Sequence, residues 1–198
     1  MAIEFSPGSL TVLGLPRSHW HCQLANFTWD EVKPSAFQAR VHQFMEEVRA
    51  GESPHLLLTG KPGVGKSHVS VGLYRWAALE FGTQLAAWLH VPSFCLRVKE
   101  GYGQGTEGDP WEMIESAQRL IVLDDLFGRE YSPHEIGHIV ASLIDGCYRS
   151  AAGVVVTMNS SIAELTQRLS PHERSRLLTN ATIIPVEAAR DHRIKVLS

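Results

Sequence analysis

The sequence predicts a three-layer α/β fold in which helices cover both faces of a five-stranded parallel sheet. Three observations predict it: short apolar runs of strand length, segments of helical periodicity between them, and a glycine-rich turn that joins one run to a helix. Runs that are apolar almost throughout are typical of strands covered on both faces, and their alternation with helices favours right-handed crossovers. The predicted strands are His55–Thr59, Leu85–Leu89, Leu120–Asp125, Gly153–Asn159 and Ala181–Val186, the last at an edge because it contains Pro185.

Helical segments fill the intervals between these runs. The segment from Ser35 to Ala50 has apolar residues at spacings i, i+4, i+7, i+8 and i+11, which predicts an amphipathic helix. Residues 1–34 contain proline and glycine at several positions and are predicted to be an irregular lead-in, so residues 35–198 form the predicted core. Further helices are predicted over Lys66–Phe81 and Trp111–Gln118, and from Pro92, Pro133, Ile162 and Pro171 onward.

Composition excludes several classes of protein. The chain has 198 residues, a formal net charge of −3 and three scattered cysteines. An odd and scattered set of cysteines argues against a disulfide framework, and no apolar run reaches the ~20 residues of a membrane span. The start, Met1–Phe5, lacks the basic and apolar regions of a signal peptide. We therefore expect a cytoplasmic globular protein with no membrane partner and no overall basic field.

The glycine-rich turn matches the pattern of a phosphate-binding P-loop, G-x-x-x-x-G-K-[ST]. Glycines let backbone N–H groups point at phosphates, the following helix adds its positive end, the lysine reaches the terminal phosphates, and the serine hydroxyl can bind Mg²⁺. A chance glycine turn would lack the strand before it and the helix after it, and both are present here. The predicted nucleotide-binding residues of this turn are Gly60, Lys61, Pro62, Gly63, Val64, Gly65, Lys66, Ser67 and His68.

An apolar strand that ends in Asp124 and Asp125 has the pattern of a Walker B motif. Asp124 is predicted to bind Mg²⁺ together with Ser67, and Asp125 is predicted to polarise the attacking water. Two adjacent acids after a strand are otherwise a solvated turn, but the P-loop in the same chain favours the catalytic interpretation. Asn159, at the end of another core strand, either orients water near a γ-phosphate or caps the helix that starts near Ile162.

Two histidine-containing stretches match metal-site patterns only in part. Residues 134–138 read H-E-x-x-H, the zinc-protease pattern. Ser132 and Glu135 also form a capping-box pattern with Pro133 at the first helical position, which explains the same stretch as a helix start. The other stretch, His19–Cys22, has no second Cys/His cluster at zinc-site spacing and is predicted to be a packed loop.

Four stretches together resemble the AAA+ ATPases of the helicase-loader clade, which includes the DnaC and DnaI loaders and the insertion-sequence transposition helper IstB. They are Gly60–His68, Leu123–Leu126, Thr157–Asn159 and Ser175–Leu177. Weaker similarities are Leu13–Arg17 with Asn26–Phe27, which resembles the segment before these ATPase cores, and Asp191–Arg193, which resembles their closing D-aromatic-R. The resemblance covers about Gly14 to Arg193, nearly the whole chain.

The resemblance implies roles for single residues. Asn159 is expected to be the first sensor, Arg193 to lie where a second sensor binds nucleotide, and Arg176 to be an arginine finger donated to a neighbouring subunit. An arginine suits that role because it neutralises charge on the γ-phosphate. Arg174 competes with Arg176 for it, and a surface ion pair is the alternative for both. ATP and Mg²⁺ are the implied cofactors, and an ATP-dependent homo-oligomer is the implied assembly.

The resemblance also implies partners, and the sequence departs from the family pattern in some features. It implies an ATP-hydrolysing helicase loader of DNA replication that binds single-stranded DNA and a replicative helicase, with Arg97, Lys99 and Tyr102 as candidate DNA contacts. Alternatives are an IstB-like transposition helper with a transposase partner, and a DnaA-like nucleotide-gated replication regulator.

No substantial C-terminal lid is expected after Arg193, and only about a dozen residues precede the similar region. The Walker B pair is Asp-Asp where Asp-Glu is common, so hydrolysis is expected to be slow or partner-dependent.

Overall fold

The computed structural model describes residues 15–102, 111–188 and 191. Its strands are β1 (Val32–Lys33), β2 (His55–Thr59), β3 (Ala86–His90), β4 (Leu120–Asp124), β5 (Gly153–Met158), β6 (Ala181–Pro185) and β7 (Glu187–Ala188). Five of them form one parallel sheet in the order β3-β4-β5-β2-β6. The predicted fold class and the edge position of the strand that contains Pro185 are therefore confirmed.

Helices fill the predicted intervals. The α-helices are α1 (Phe37–Arg49), α2 (Lys66–Phe81), α3 (Val91–Gly101), α4 (Glu112–Ser116), α5 (Ala141–Ser150), α6 (Ile162–Arg168) and α7 (Pro171–Leu178). A π-helical segment, Glu135–Val140, leads directly into α5. Among the described residues, no helix combines the length and apolarity that a membrane crossing needs. Of the residues after β7, the structure describes Asp191 alone, so the expectation of no substantial lid after Arg193 concerns residues outside the described part of the chain.

Two apolar layers lie on opposite faces of the sheet, because successive side chains of a strand point to opposite faces. In β2, Leu57 packs into one layer with α3 and α5, whereas Leu56 and Leu58 pack into the other with α1 and α2. All five residues of β2 are buried, as are those of β4. This three-layer arrangement brings the carboxyl ends of β2, β3, β4 and β5 to one edge of the sheet, where ligands of open α/β folds bind.

The structure differs from the sequence prediction in its first described segment. Residues 15–34 were predicted to be irregular, but they contain three short 3-10 turns and the strand β1, which pairs antiparallel with β7. Arg75 of α2 holds this segment, because its guanidinium donates to the carbonyl oxygens of Trp20, at 2.6 Å, and Cys22, at 3.3 Å. The lead-in therefore packs on the P-loop helix.

Candidate functional site

The P-loop lies between β2 and α2, as predicted. Gly60, Gly63 and Gly65 all have positive φ, at 140°, 81° and 99°. A Cβ at Gly60 would collide with the carbonyl oxygen of Val186, and one at Gly65 would lie 2.5 Å from the Phe27 ring. Only glycine fits this backbone path, which curls the turn into a cradle ahead of the helix N-terminus.

Lys66 is buried at the floor of the cradle. Its Nζ donates to the carbonyl oxygens of Gly60 and Lys61, at 2.8 Å each, and to Asn159 Oδ1 at 3.0 Å. These oxygens stabilise a buried ammonium group and hold it beside the path of the P-loop. The link to Asn159 joins two strand ends that are 93 residues apart in sequence.

Asp124 ends β4 and is buried. Its Oδ1 accepts hydrogen bonds from the hydroxyl groups of Ser70, at 3.1 Å, and Thr157, at 2.8 Å. Sequence reasoning did not select either hydroxyl residue. Their positions in the sequence could have identified them. Ser70 lies one helical turn after Ser67, and Thr157 lies near the end of a core strand. The two hydroxyl groups fix the orientation of a carboxylate that faces the P-loop helix.

Asp125 and Asn159 are in direct contact. Asn159 Nδ2 donates to Asp125 Oδ1 at 3.0 Å, and the Asp125 N–H donates to Thr157 Oγ1 at 2.9 Å. Asp125 itself has φ of 61°, which is uncommon outside glycine and is tolerated by Asp better than by most residues. The alternative role of Asn159 as a helix cap is wrong, because Ser161 caps α6 and forms a capping box with Glu164.

His90 is a site residue that sequence reasoning missed. It ends β3, and its Nε2 lies 3.8 Å from Asp125 Oδ2. Its Nδ1 lies 2.7 Å from Ser93 Oγ, which orients the ring. The signal that could have found it is its place directly after an apolar run, at the carboxyl end of a core strand.

One cleft of about 590 Å³ unites these groups. Its lining consists of P-loop residues, of His90, Asp124, Asp125, Thr157 and Asn159, and of lead-in residues between Ser18 and Thr28. Ser67, the predicted Mg²⁺ ligand, lines the cleft together with Asp124. Phe27 supplies an aromatic wall, with its ring 4.6 Å from that of Trp29 and 5.3 Å from that of His68, centroid to centroid. A glycine cradle, a lysine, a hydroxyl and two carboxylates are a donor set that suits a magnesium nucleotide.

His68 follows the P-loop and faces the lead-in. Its Nε2 lies 2.9 Å from the carbonyl oxygen of Gln23 and 2.8 Å from Asn26 Oδ1. It lines the cleft, so its predicted place at a nucleotide site is compatible with the geometry. Asp191 also approaches the P-loop, since a Cβ at Gly63 would collide with its carboxylate. Arg193, the predicted second sensor, lies outside the described residues.

The two finger candidates lie on α7, away from the described lining of the cleft in their own chain. Arg176 forms an ion pair with Asp145 of α5, and its guanidinium carbon lies 5.5 Å from the centroid of the Tyr148 ring. Arg174 donates to the carbonyl oxygen of Thr166 at 3.2 Å. The predicted ion-pair alternative therefore describes the Arg176 contact within one chain.

The H-E-x-x-H stretch has the structural role that the capping box predicts. The Glu135 N–H donates to Ser132 Oγ at 3.2 Å, and the Ser132 N–H donates to Glu135 Oε2 at 2.9 Å. Hydrogen bonds from Arg129 and from Ser132 lower the pKa of the buried Glu135 carboxyl to about 2. His134 and His138 are exposed, with ring centroids 4.5 Å apart. Glu135 is thus an ion-paired helix-start residue.

Comparisons with known proteins agree with this architecture. No protein-family model matches the chain, and no curated protein matches it. Among solved structures, the DnaC helicase loader has a TM-score of 0.72 at 18% identity, with 87% of this chain and 100% of that chain covered. DnaI has a TM-score of 0.70 at 17% identity, with 87% of this chain and 95% of the DnaI chain covered.

The replication initiator DnaA, bound to AMPPCP and single-stranded DNA, is also similar. Its TM-score is 0.67 at 18% identity, with 87% of this chain and 51% of that chain covered, so this chain spans about half of that structure. Matches at such low identity establish the fold. The chain shares its P-loop α/β fold with the helicase loaders DnaC and DnaI and with the initiator DnaA.

Proposed function

We propose that this chain is an ATP-binding and ATP-hydrolysing helicase loader that acts in DNA replication in the cytoplasm. The observation that carries the proposal is the hydrogen-bonded chain from Lys66 through Asn159 to Asp125 in a P-loop cleft. This chain of contacts links the lysine of a phosphate cradle to a carboxylate suited to activate water. The fold shared with DnaC and DnaI supports the replication role.

Different residues of the cleft would bind different parts of magnesium-ATP. The backbone N–H groups from Gly60 to Ser67 would hold the phosphates, and Ser67 with the buried Asp124 would hold Mg²⁺. Magnesium-ATP, when bound, supplies the phosphoanhydride bond that is cleaved. Lys66 exchanges its contacts with the Gly60 and Lys61 carbonyls for phosphate oxygens. Phe27, at the lead-in side, would contact the rest of the nucleotide and exclude water.

Asp125 and Asn159 would act on the attacking water. Asp125 accepts its proton, and Asn159, which already donates to Asp125, orients both groups. Asp is one methylene shorter than the Glu that is common at this position. The short side chain supports slow turnover that a partner stimulates.

Arg176 would complete the site of a neighbouring subunit. It is absent from the described lining of its own cleft, and Asp145 holds it in a fixed place on α7. A cation placed across an interface makes hydrolysis dependent on assembly. We therefore propose an ATP-dependent homo-oligomer, with Arg193 as the second sensor.

Single-stranded DNA is the proposed nucleic-acid ligand. Arg97 and Tyr102 of the α3 region are exposed, and Lys99 lies between them on the same helix, 3.4 Å from Glu135 Oε1. Two cations and an aromatic ring match the charge and stacking needs of a single strand. The DnaA structure with AMPPCP and single-stranded DNA supports this ligand for the fold.

Affinity capture tests the partner. The tagged chain is incubated with native cell extract and AMPPCP, alongside the Lys66→Ala variant. The proposal predicts that the replicative helicase is retained by the wild type and lost with the variant. Retention of a transposase in its place would assign the transposition-helper function, and retention of neither would contradict the loader function.

A further inference from the structure

Three potential metal ligands meet where the lead-in crosses the P-loop helix. His21, Cys22 and His68 each offer one ligand atom, and these atoms all lie within 4.8 Å of one another. Two come from the lead-in turn, and the third comes from the first turn of α2, 46 residues later. The sequence showed no second ligand cluster for His19–Cys22, because the third ligand is brought close only by the fold.

The separations suit one small metal ion. His21 Nε2 lies 3.8 Å from Cys22 Sγ. Tetrahedral Zn²⁺, with Zn–S of about 2.3 Å and Zn–N of about 2.0 Å, places such a pair about 3.5 Å apart. The rings of His21 and His68 are nearly perpendicular, at 83°, with centroids 5.8 Å apart. His21 is exposed, so its side chain can close the remaining gap to His68 without moving the core.

The lead-in already orients the His68 ring through one backbone oxygen and one side-chain oxygen. The Gln23 carbonyl oxygen and Asn26 Oδ1 lie 2.9 Å and 2.8 Å from His68 Nε2. Histidine ligands of metals are commonly oriented by such oxygen atoms around them. Arg75 pins the lead-in from the other side through the carbonyl of Cys22, at 3.3 Å. The three ligands thus belong to a part of the chain that is fixed before any metal binds.

We propose that His21, Cys22 and His68 form a binding site for a thiolate- and imidazole-preferring divalent metal of the Zn²⁺ class. Two imidazoles and one thiolate favour Zn²⁺ over Mg²⁺ or Ca²⁺, which prefer oxygen ligands. Three protein ligands leave one tetrahedral position for water. This site is separate from the Mg²⁺ position at Ser67 and Asp124, and it does not depend on the proposed loader function.

The metal would connect two segments that line the cleft. His21 and Cys22 belong to the lead-in, and His68 directly follows the P-loop residue Ser67. A bond through the metal adds a cross-link between the lead-in and α2 to the hydrogen bonds that already hold them together. Because binding selects the folded arrangement, Zn²⁺ raises the thermal midpoint of unfolding.

Zn²⁺ binding by the full chain provides the test. The chelator-treated protein is titrated with Zn²⁺ alone against a chromophoric competitor, and Co²⁺ spectra are recorded in parallel. We expect one equivalent to bind, a cobalt spectrum with a thiolate-to-metal charge-transfer band, and a higher thermal midpoint. We expect the Zn²⁺ affinity to fall at least about tenfold in Cys22→Ser and in His21→Asn, because loss of even an outer-shell partner costs that much. The charge-transfer band of the cobalt complex is expected to disappear in Cys22→Ser.

Two controls separate this site from others. Cys95→Ser removes a different buried thiol, and His134→Ala/His138→Ala removes the exposed histidine pair at the start of the π-helical segment. Both leave the Zn²⁺ affinity and the cobalt band unchanged if the proposal holds. His21 is exposed, so His21→Asn keeps the test valid even where Cys22→Ser does not fold. No stoichiometric binding, or binding that survives His21→Asn and depends on His134 and His138, would overturn the proposal.

Discussion

Asn159 donates to Asp125 Oδ1 through Nδ2 and accepts from Lys66 Nζ through Oδ1, so one amide bridges the lysine that we propose to bind phosphate and the carboxylate that we propose to activate water. The two contacts are each 3.0 Å long. An amide can do this because it carries a donor and an acceptor on one planar group. An aspartate in place of Asn159 would put a second carboxylate against that of Asp125.

Asn159→Ala removes this bridge. We expect ATP hydrolysis to fall on the order of 100-fold, the lower end for loss of one preorganised polar contact in a catalytic site, while ATP affinity changes little. Single-turnover rates and equilibrium nucleotide binding measure the two effects separately. Ser161→Ala is the matched control, because it removes the cap of α6, costs about 1 kcal/mol of stability, and leaves turnover unchanged. Equal losses in both variants would refute a catalytic role for Asn159.

Arg176→Ala tests whether the finger acts between subunits. Alone, this variant is expected to bind ATP and lose most of its turnover, since the γ-phosphate of each site lacks its neighbouring cation. Mixed with Lys66→Ala, which has an intact finger and a defective P-loop, it regains turnover. Arg174→Ala serves as control and retains activity. If the mixture stays inactive while the wild type is active, the finger does not act in trans.

Glu135→Gln tests the buried ion pair at the helix start. The folded-state pKa of Glu135, about 2, lies below its ordinary value of 4.5, so its ionised form stabilises the fold above pH 4.5. That contribution is lost as pH falls from 4.5 towards 2. The variant is therefore expected to lose about 1–3 kcal/mol of unfolding free energy at pH 7 and less at pH 3. Urea unfolding at pH 7 and at pH 3 measures the unfolding free energies of wild type and variant. An equal loss at the two pH values would contradict a stabilising ionised Glu135.

Arg97→Ala/Lys99→Ala tests the proposed DNA surface. Filter binding of single-stranded DNA over a salt series is expected to show weaker binding, with a log–log salt slope reduced by about 0.7 for each lost phosphate contact. Arg40→Ala, an exposed cation on α1 across the sheet, is the control and leaves the slope unchanged. An unchanged slope in the double variant would remove α3 from the DNA surface.

Local patterns in the sequence predicted the sheet, the P-loop and the Asp124–Asp125 pair, because each depends on neighbouring residues along one strand or turn. Other features depend on distant residues that the fold brings together. The His68 contact with Gln23 spans 45 positions, and the pairing of β1 with β7 joins a segment before β2 to a segment after β6. The π-helical segment before α5 also escaped prediction, since apolar spacing does not distinguish it from an α-helix. Pattern reasoning therefore finds the separate parts of the site, and the contacts between them require the structure.

Steady-state ATP hydrolysis by wild type and Lys66→Ala, with single-stranded DNA and the replicative helicase present, tests the central claim most directly. Lys66 is buried in the cradle and bound by Gly60, Lys61 and Asn159, so its replacement removes both the proposed phosphate contact and the Asn159 bridge. The proposed function predicts turnover by the wild type that the helicase and DNA stimulate, and that Lys66→Ala abolishes. Turnover that is absent under every condition, or equal in the two proteins, would contradict it.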